Sequence, residues 1–325
     1  MATLKDIAQR AGVTATTVSR VINNRGYISE GTRKKVYAAM EEMHYQPNEL
    51  ARAFSKQYTN TIGLIVPHIS HPFFIKVISN LESSAAEKGF KLLLCNSKEQ
   101  PEKEQDYLDM CISNRVAGIV LCSKYVQTRE FRKMNIPVVN LERGGDDDTI
   151  SVQCDNYQGG KLAAEHLIEC GCKNLLHFGG VAGKDMPADR RADGFLRVCR
   201  ERGIEGEVLL SDRLSYGSMH YESYIEKGLL EHPETDGIFA SSDLIAAQVL
   251  QCLYAMGKRV PEDIKVVGFD DTVIAGITTP SITTIHQPIE EMSELSIAYI
   301  DRRRKGEMVP NVTTMPVSLV VRGSA

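Results

Sequence analysis

The chain has 325 residues, 42% hydrophobic and 25% charged, a size for two or three domains and a composition for a globular protein. No apolar run approaches the roughly 20 residues that span a bilayer, and no secretory apolar core opens the chain, so membrane partners are excluded and the eight cysteines are expected as reduced thiols in the cytoplasm. The net charge of −4 is uneven: residues 1–60 hold nine Lys/Arg and five Asp/Glu, a net of +4, against 29 and 37 in the rest, a net of −8, which suits a basic head for phosphate backbone on an acidic body.

The first predicted element is a helix from Leu4, with Thr3 as cap, Asp6 as the capping-box acid, and Leu4, Ile7, Ala8 and Ala11 as one buried stripe. Gly12 stands where a left-handed cap is needed. Thr14 then caps a second helix with Val18, Val21 and Ile22 inward and Ala15, Thr16, Ser19, Arg20 and Asn23 outward. Two short helices broken at Ala11-Gly12-Val13-Thr14 form the pattern of a helix-turn-helix DNA reader. An ordinary helical hairpin does not need cap, glycine, stripe and polar face to agree. The outward face is small at its start, which lets it sit deep in a groove, and Arg20 suits the two acceptors of a guanine edge.

A third helix follows, capped by Ser29, with Val36, Ala39, Met40 and Met43 inward and Arg33-Lys34-Lys35 facing solvent or phosphates. Pro47 ends the unit. Asn48 to Ser55 reads as a very short helix capped by Asn48; alone in water such a helix is marginal, so it is a candidate for folding on binding.

From Thr61 strands and helices alternate. Strands are predicted at 62–66, 91–95, 118–121, 138–141, 174–178, 237–240 and 264–269, with helices between them, among them 73–87, closed by Gly89, and 102–113. Continuous apolar strands separated by amphipathic helices mean parallel sheets covered on both faces. The body is doubly wound α/β, and too long for one such unit.

Ligands in this architecture lie beyond the carboxyl ends of the strands. The first strand is followed by Pro67-His68-Ile69-Ser70-His71-Pro72-Phe73-Phe74, with no dinucleotide loop. Gly179-Gly180-Val181-Ala182-Gly183-Lys184 lacks the phosphate-loop frame, because Asp185 stands where a hydroxyl is required. Cys170-Gly171-Cys172 has no second pair at ligand spacing, and His68, His71, His166, His177 and His286 share no spacing. With no nucleophile elbow either, the residues imply neither cofactor nor metal, and argue against an enzyme. They suit binding instead. Phe73 and Phe74 offer flat apolar faces, Glu142 ends the fourth strand, and Arg191 opens a helix. Ser241, Ser242 and Asp243, then Asp270 and Asp271, follow later strands. Such groups hold a polar ligand by many hydrogen bonds. Asp243 reads first as a helix cap, Arg191 and Asp270 as ligand contacts.

The string Val13-Thr14-Ala15-Thr16-Thr17-Val18-Ser19-Arg20-Val21-Ile22-Asn23, followed by Tyr45-Gln46-Pro47-Asn48, resembles the headpiece of the lactose-repressor (LacI/GalR) family. The resemblance runs on through Arg191 before Ala192-Asp193-Gly194-Phe195, through Gly268-Phe269-Asp270-Asp271, and through Thr283-Thr284-Ile285-His286-Gln287-Pro288, the last read as structural. It is of the ribose- and sucrose-repressor kind.

It implies a small all-α helix-turn-helix headpiece (1–45), a hinge helix and linker (46–60), and a two-lobed body of periplasmic-binding-protein type I (61–325). Lobe one would hold about 61–157 and 286–309, lobe two about 158–285 and 310–325. A homodimer would bind a pseudo-palindromic operator through Thr3, Thr14, Ala15, Thr16, Thr17, Ser19, Arg20 and Asn23, with Asn48, Ala51 and Phe54 in the minor groove. Phe54 stands where the family usually has a Leu wedge. An effector, a sugar or polyol, would meet Phe73, Phe74, Glu142, Arg191, Ser242 and Asp270. The loop 70–74 resembles the Asn-Pro-Phe-Phe loop of ribose-type receptors, with His71 in place of Asn, and without Trp any stacking platform is Phe or Tyr. The function implied is repression of a carbohydrate-utilisation operon under allosteric control. A purine- or sugar-phosphate-responsive regulator is the alternative; a transport receptor or an α/β enzyme with a DNA-binding domain fits less well.

Overall fold

A computed structural model describes residues 2–23, 25–45, 58–123, 136–144, 149–181 and 186–325. The chain divides into two compact units, Met1–Thr59 and Asn60–Ala325.

In the first unit α1 (Leu4–Ala11), α2 (Ala15–Ile22) and α3 (Glu30–Glu42) close around fully buried Ile7, Val18, Val21 and Val36. Thr3 makes the expected capping box. Its hydroxyl accepts from the Asp6 N–H at 3.3 Å, and its own N–H donates to the Asp6 carboxylate at 2.7 Å. Gly12 ends α1 with φ +66°. The Thr14 hydroxyl caps α2, accepting from the Thr17 N–H at 3.1 Å, and Ser29 caps α3.

The second unit is built from two sheets. Strands β1 (Thr61–Val66), β2 (Lys91–Asn96), β3 (Gly118–Leu121), β4 (Val138–Leu141) and β5 (Ile150–Cys154) alternate with α4 (Pro72–Glu87) and α5 (Pro101–Ser113). The chain then continues through α6 (Asn156–Glu169), β6 (Asn174–Val181), α7 (Arg190–Arg202), β7 (Glu205–Ser211), α8 (Arg213–Ser218), α9 (Glu222–Glu231), β8 (Gly237–Ala240), α10 (Asp243–Ala255), β9 (Lys265–Asp270), α11 (Val273–Ile277) and β10 (Thr283–His286). It ends with α12 (Ile289–Arg304), β11 (Val312–Met315) and β12 (Ser318–Val320). The strand orders are β11-β5-β4-β3-β1-β2 and β12-β10-β9-β8-β6-β7. All pairs are parallel except β10 with β12. In β1, flanked by β2 and β3, Ile62, Leu64, Ile65 and Val66 are fully buried, as a parallel strand covered on both faces should be.

Three segments join the sheets: after β5, between β10 and α12, and between β11 and β12. The last corrects the expected lobe boundary. Residues 310–325 are not one lobe's: β11 pairs with β5 in the first sheet and β12 with β10 in the second, so the crossing lies at Pro316-Val317. These are short edge strands with half-exposed residues, and edge strands carry little apolar signal.

Helices α6 and α7 touch backbone to backbone. A Cβ on Gly160 would lie 1.9 Å from the Arg191 carbonyl oxygen, and one on Gly194 2.0 Å from that of Tyr157. This contact positions the first turn of α7, and with it Arg191. Gly194→Ala must force the two helices apart, because neither backbone can rotate away. We expect a loss of about 3 kcal/mol in urea unfolding; parental stability would show that the helices are not held this close.

Candidate functional site

On α2 the side chains of Thr14, Thr16 and Arg20 are exposed, while Ala15, Thr17, Ser19 and Asn23 are half-buried. Ala15 packs partly against the headpiece core. Three of the expected DNA contacts also serve the fold: Thr3 and Thr14 as caps, and Asn23, whose amide donates to the Ser19 carbonyl at 2.8 Å. The outward face is thus short side chains and one long cation, beside a helix N-terminus able to meet phosphate. Asn48, Ala51 and Phe54 lie outside the described residues, as do residues 182–185 of the glycine-rich loop.

In the body a cavity of about 350 Å³ opens at the carboxyl ends of both sheets, bringing together Phe73, Phe74, Glu142, Arg191, Ser242 and Asp270. Arg191 and Asp270 are buried, as is Glu142. The Arg191 Nε donates to Asn156 Oδ1 at 2.7 Å and one terminal nitrogen to the Ser241 carbonyl at 2.5 Å. Its guanidinium lies 3.5 Å from the centroid of the Phe269 ring, a cation–π contact that fixes its plane. Two of its five N–H donors are therefore used among the described residues. Asp270 stands 3.9 Å from Arg191, an ion pair without a hydrogen bond, and accepts from Gln287 Nε2 at 2.6 Å. Glu142 accepts from the Cys154 N–H and, at 3.0 Å, from Asn156 Nδ2. Asn156 so links the cation to one of its two acids.

Burial raises the pKa of Glu142 and of Asp270 above the ordinary carboxylate range; Arg191 opposes both shifts. The turns that carry them are strained. Glu142 has φ +51°, Asp270 +108° and Asp271 +52°, and non-glycine residues in such conformations cost about 1–3 kcal/mol each. His71 caps α4, its Nδ1 accepting from the Phe73 N–H at 3.2 Å, which places the ring proton on Nε2. Phe73 and Phe74 meet edge to face at 5.1 Å, so together they make a fixed apolar wall.

Two assignments change. Ser242, not Asp243, caps α10, accepting from the Ile245 N–H at 3.2 Å. Asp243 is fully buried and accepts from the Thr272 N–H at 2.6 Å and the Thr284 hydroxyl at 2.5 Å; burial pushes its pKa up to about 6. Sequence reasoning missed Asn156, Gln287 and Ser123. Ser123 lines the cavity with a buried hydroxyl that has no hydrogen-bond partner among the described residues. Arg213 and Tyr216 on α8, and Tyr221, complete the second lobe's wall.

Residues 3–48 match the family model for bacterial regulatory proteins of the lacI family, and residues 164–325 that of a periplasmic binding protein-like domain. The chain is 36% identical to a ribose operon repressor of Halalkalibacterium halodurans, over 99% of this chain and 96% of the relative. It is also 36% identical to a sucrose operon repressor of Pediococcus pentosaceus, over 98% and 97%. A periplasmic binding protein/LacI transcriptional regulator from Alkaliphilus metalliredigens, crystallised with D-xylulofuranose, superposes with a TM-score of 0.74 at 34% identity, covering 82% of this chain and 99% of that one.

Burial, with His68 and Arg191 close by, lowers the pKa of His71 from 6.5 to about 4. The unfolded chain therefore takes up the proton first as pH falls, and His71 subtracts stability progressively between about pH 6.5 and pH 4. In His71→Asn the drop in urea midpoint between about pH 7 and pH 5 should be smaller than in the parent. An equal drop would mean that His71 is not held neutral.

Proposed function

The chain belongs to the lacI family of bacterial regulatory proteins and is a DNA-binding transcription regulator, not an enzyme; we propose that, as a cytoplasmic homodimer, it represses a carbohydrate-utilisation operon under the control of a neutral mono- or disaccharide or a polyol. The observation that carries the reading is the cavity at the strand ends, where Arg191 is buried beside Glu142 and Asp270. Adjacent hydroxyls answer both kinds of group: they donate to the carboxylates and accept from the guanidinium. The Phe73–Phe74 wall covers an apolar ring face, and the Ser123 hydroxyl offers a further bond. A phosphorylated ligand would set its charge against two carboxylates with one central cation to offset them. The named relatives repress ribose and sucrose operons, and the Alkaliphilus protein holds a pentulose.

No covalent chemistry is needed. The effector binds one spacing of the two lobes better than another, and a few kcal/mol of differential affinity changes operator occupancy. The coupling is proposed to run through residues 46–60, of which 46–57 lie outside the described residues and read in sequence as a marginal helix that would fold on the DNA. Phe54 serves there as the wedge that opens a central pyrimidine–purine step.

Thermal-shift screening against D-ribose, D-xylulose, sucrose, cellobiose, polyols, sugar phosphates and nucleobases should find a neutral sugar or polyol that, at 100 times its Kd, stabilises by about 2.7 kcal/mol. Stabilisation by sugar phosphates or nucleobases alone would contradict the assignment. Asp270→Asn should keep operator affinity and weaken that ligand at least tenfold by calorimetry, about 1.4 kcal/mol; parental affinity would move the binding site elsewhere. Arg20→Ala should lose about 1–3 kcal/mol of preference for operator over random duplex at fixed salt, and a gel-shift titration with preference unchanged would remove Arg20 from base readout.

A further inference from the structure

The Asp270-Asp271 turn reaches across the cavity's edge. Lys76 lies on α4 in the first lobe, one helical turn beyond Phe73, and its Nζ donates to the Asp271 main-chain carbonyl in the second lobe at 3.0 Å. The carbonyl is not free to follow the lysine. The Asp271 carboxylate is held at one oxygen by His286 Nδ1 at 2.8 Å and at the other by an Arg322 terminal nitrogen at 2.6 Å. Arg322 is itself anchored to the Ile282 carbonyl at 3.0 Å, and its N–H to the Thr283 hydroxyl at 2.9 Å. On the cavity side, Asp270 is bonded to Gln287 in the second crossing. Two consecutive residues with positive φ therefore form one stiff piece, with one side chain in the cavity and a carbonyl on the opposite lobe.

We propose that Lys76 is the positioning residue that sets the spacing of the two lobes by reading this turn. The assignment rests on the cavity being the effector site, since it makes the turn that carries Asp270 also the turn that Lys76 grips. A ligand that draws on Asp270 pulls on the stiff turn and on the second lobe to which it is bonded, and the Lys76 bond passes that pull to the first lobe as a change of lobe angle. The ammonium suits such a contact, because its flexible stem follows the carbonyl over a short range and releases it beyond.

The test uses the full chain without any sugar. A duplex operator is selected by the parent protein from a random-sequence library, and its affinity for the parent, Lys76→Met and Lys76→Arg is measured together with each protein's radius of gyration by X-ray scattering. Lys76→Met keeps the apolar stem and loses the donor; it should change operator affinity by about fivefold or more and shift the radius. Lys76→Arg keeps a donor and should restore both. Parental affinity and radius in Lys76→Met would overturn the proposal, whatever its melting temperature, since a merely structural contact would lower that alone. A change that Lys76→Arg does not restore would overturn it too. Because no effector is present, failure here leaves the sugar assignment standing, and failure of the Asp270→Asn titration leaves this result standing.

Discussion

One guanidinium buried against two carboxylates is the constraint on which the body depends. Charges taken out of water are costly unless hydrogen-bonded and paired, and here, beside the Ser241 carbonyl that takes one Arg191 donor, the partners come from the segments that join the lobes. Cys154 and Asn156, at the first crossing, bond to Glu142; Asn156 also bonds to Arg191; Gln287, at the second crossing, bonds to Asp270. The solvation of the central charges is thereby tied to the geometry of the crossings. A change of lobe spacing would bear on the bonds made at the crossings, and under the proposed function a ligand that supplies hydroxyls in their place would alter which spacing is favoured. Under the proposed function, the same three groups would provide both recognition and its mechanical consequence.

The contacts around them keep the arrangement stiff. The Phe269 ring holds the guanidinium plane, the glycine contact between α6 and α7 sets its depth, and Asp243 ties the β9–α11 turn to β10 through Thr272 and Thr284. Left-handed residues at 142, 270 and 271 cluster at the ends of β4 and β9. Strain stored beside a cavity and held by surrounding bonds is suited to a body with two arrangements of similar energy.

The headpiece was legible in the sequence because its signals are local: a cap and its acid three residues apart, a stripe at helical spacing, a glycine at the break. The central strands were legible as continuous apolar runs. β5, β7, β10, β11 and β12 were not: β7, β11 and β12 are half-exposed, while β5 and β10 are buried but carry polar residues among their apolar ones, and all take their meaning from neighbours distant in the chain. The same division holds in the site. Arg191, Glu142 and Asp270 stood out as charged groups at strand ends, whereas Asn156, Gln287 and Ser123 are neutral side chains whose importance arises only where the lobes meet. Ser242 and Asp243 are adjacent candidates for one cap, and only the long-range bonds from Thr272 and Thr284 assign the carboxylate elsewhere.

The most direct test is a crystal structure of the full chain with the neutral sugar or polyol that stabilises it most. Ring or chain hydroxyls should be hydrogen-bonded to both Arg191 and Asp270, with Phe73 or Phe74 against an apolar face of the ligand. A ligand held at the rim by Arg213, touching neither Arg191 nor Asp270, would contradict the central role of the buried guanidinium and its acids.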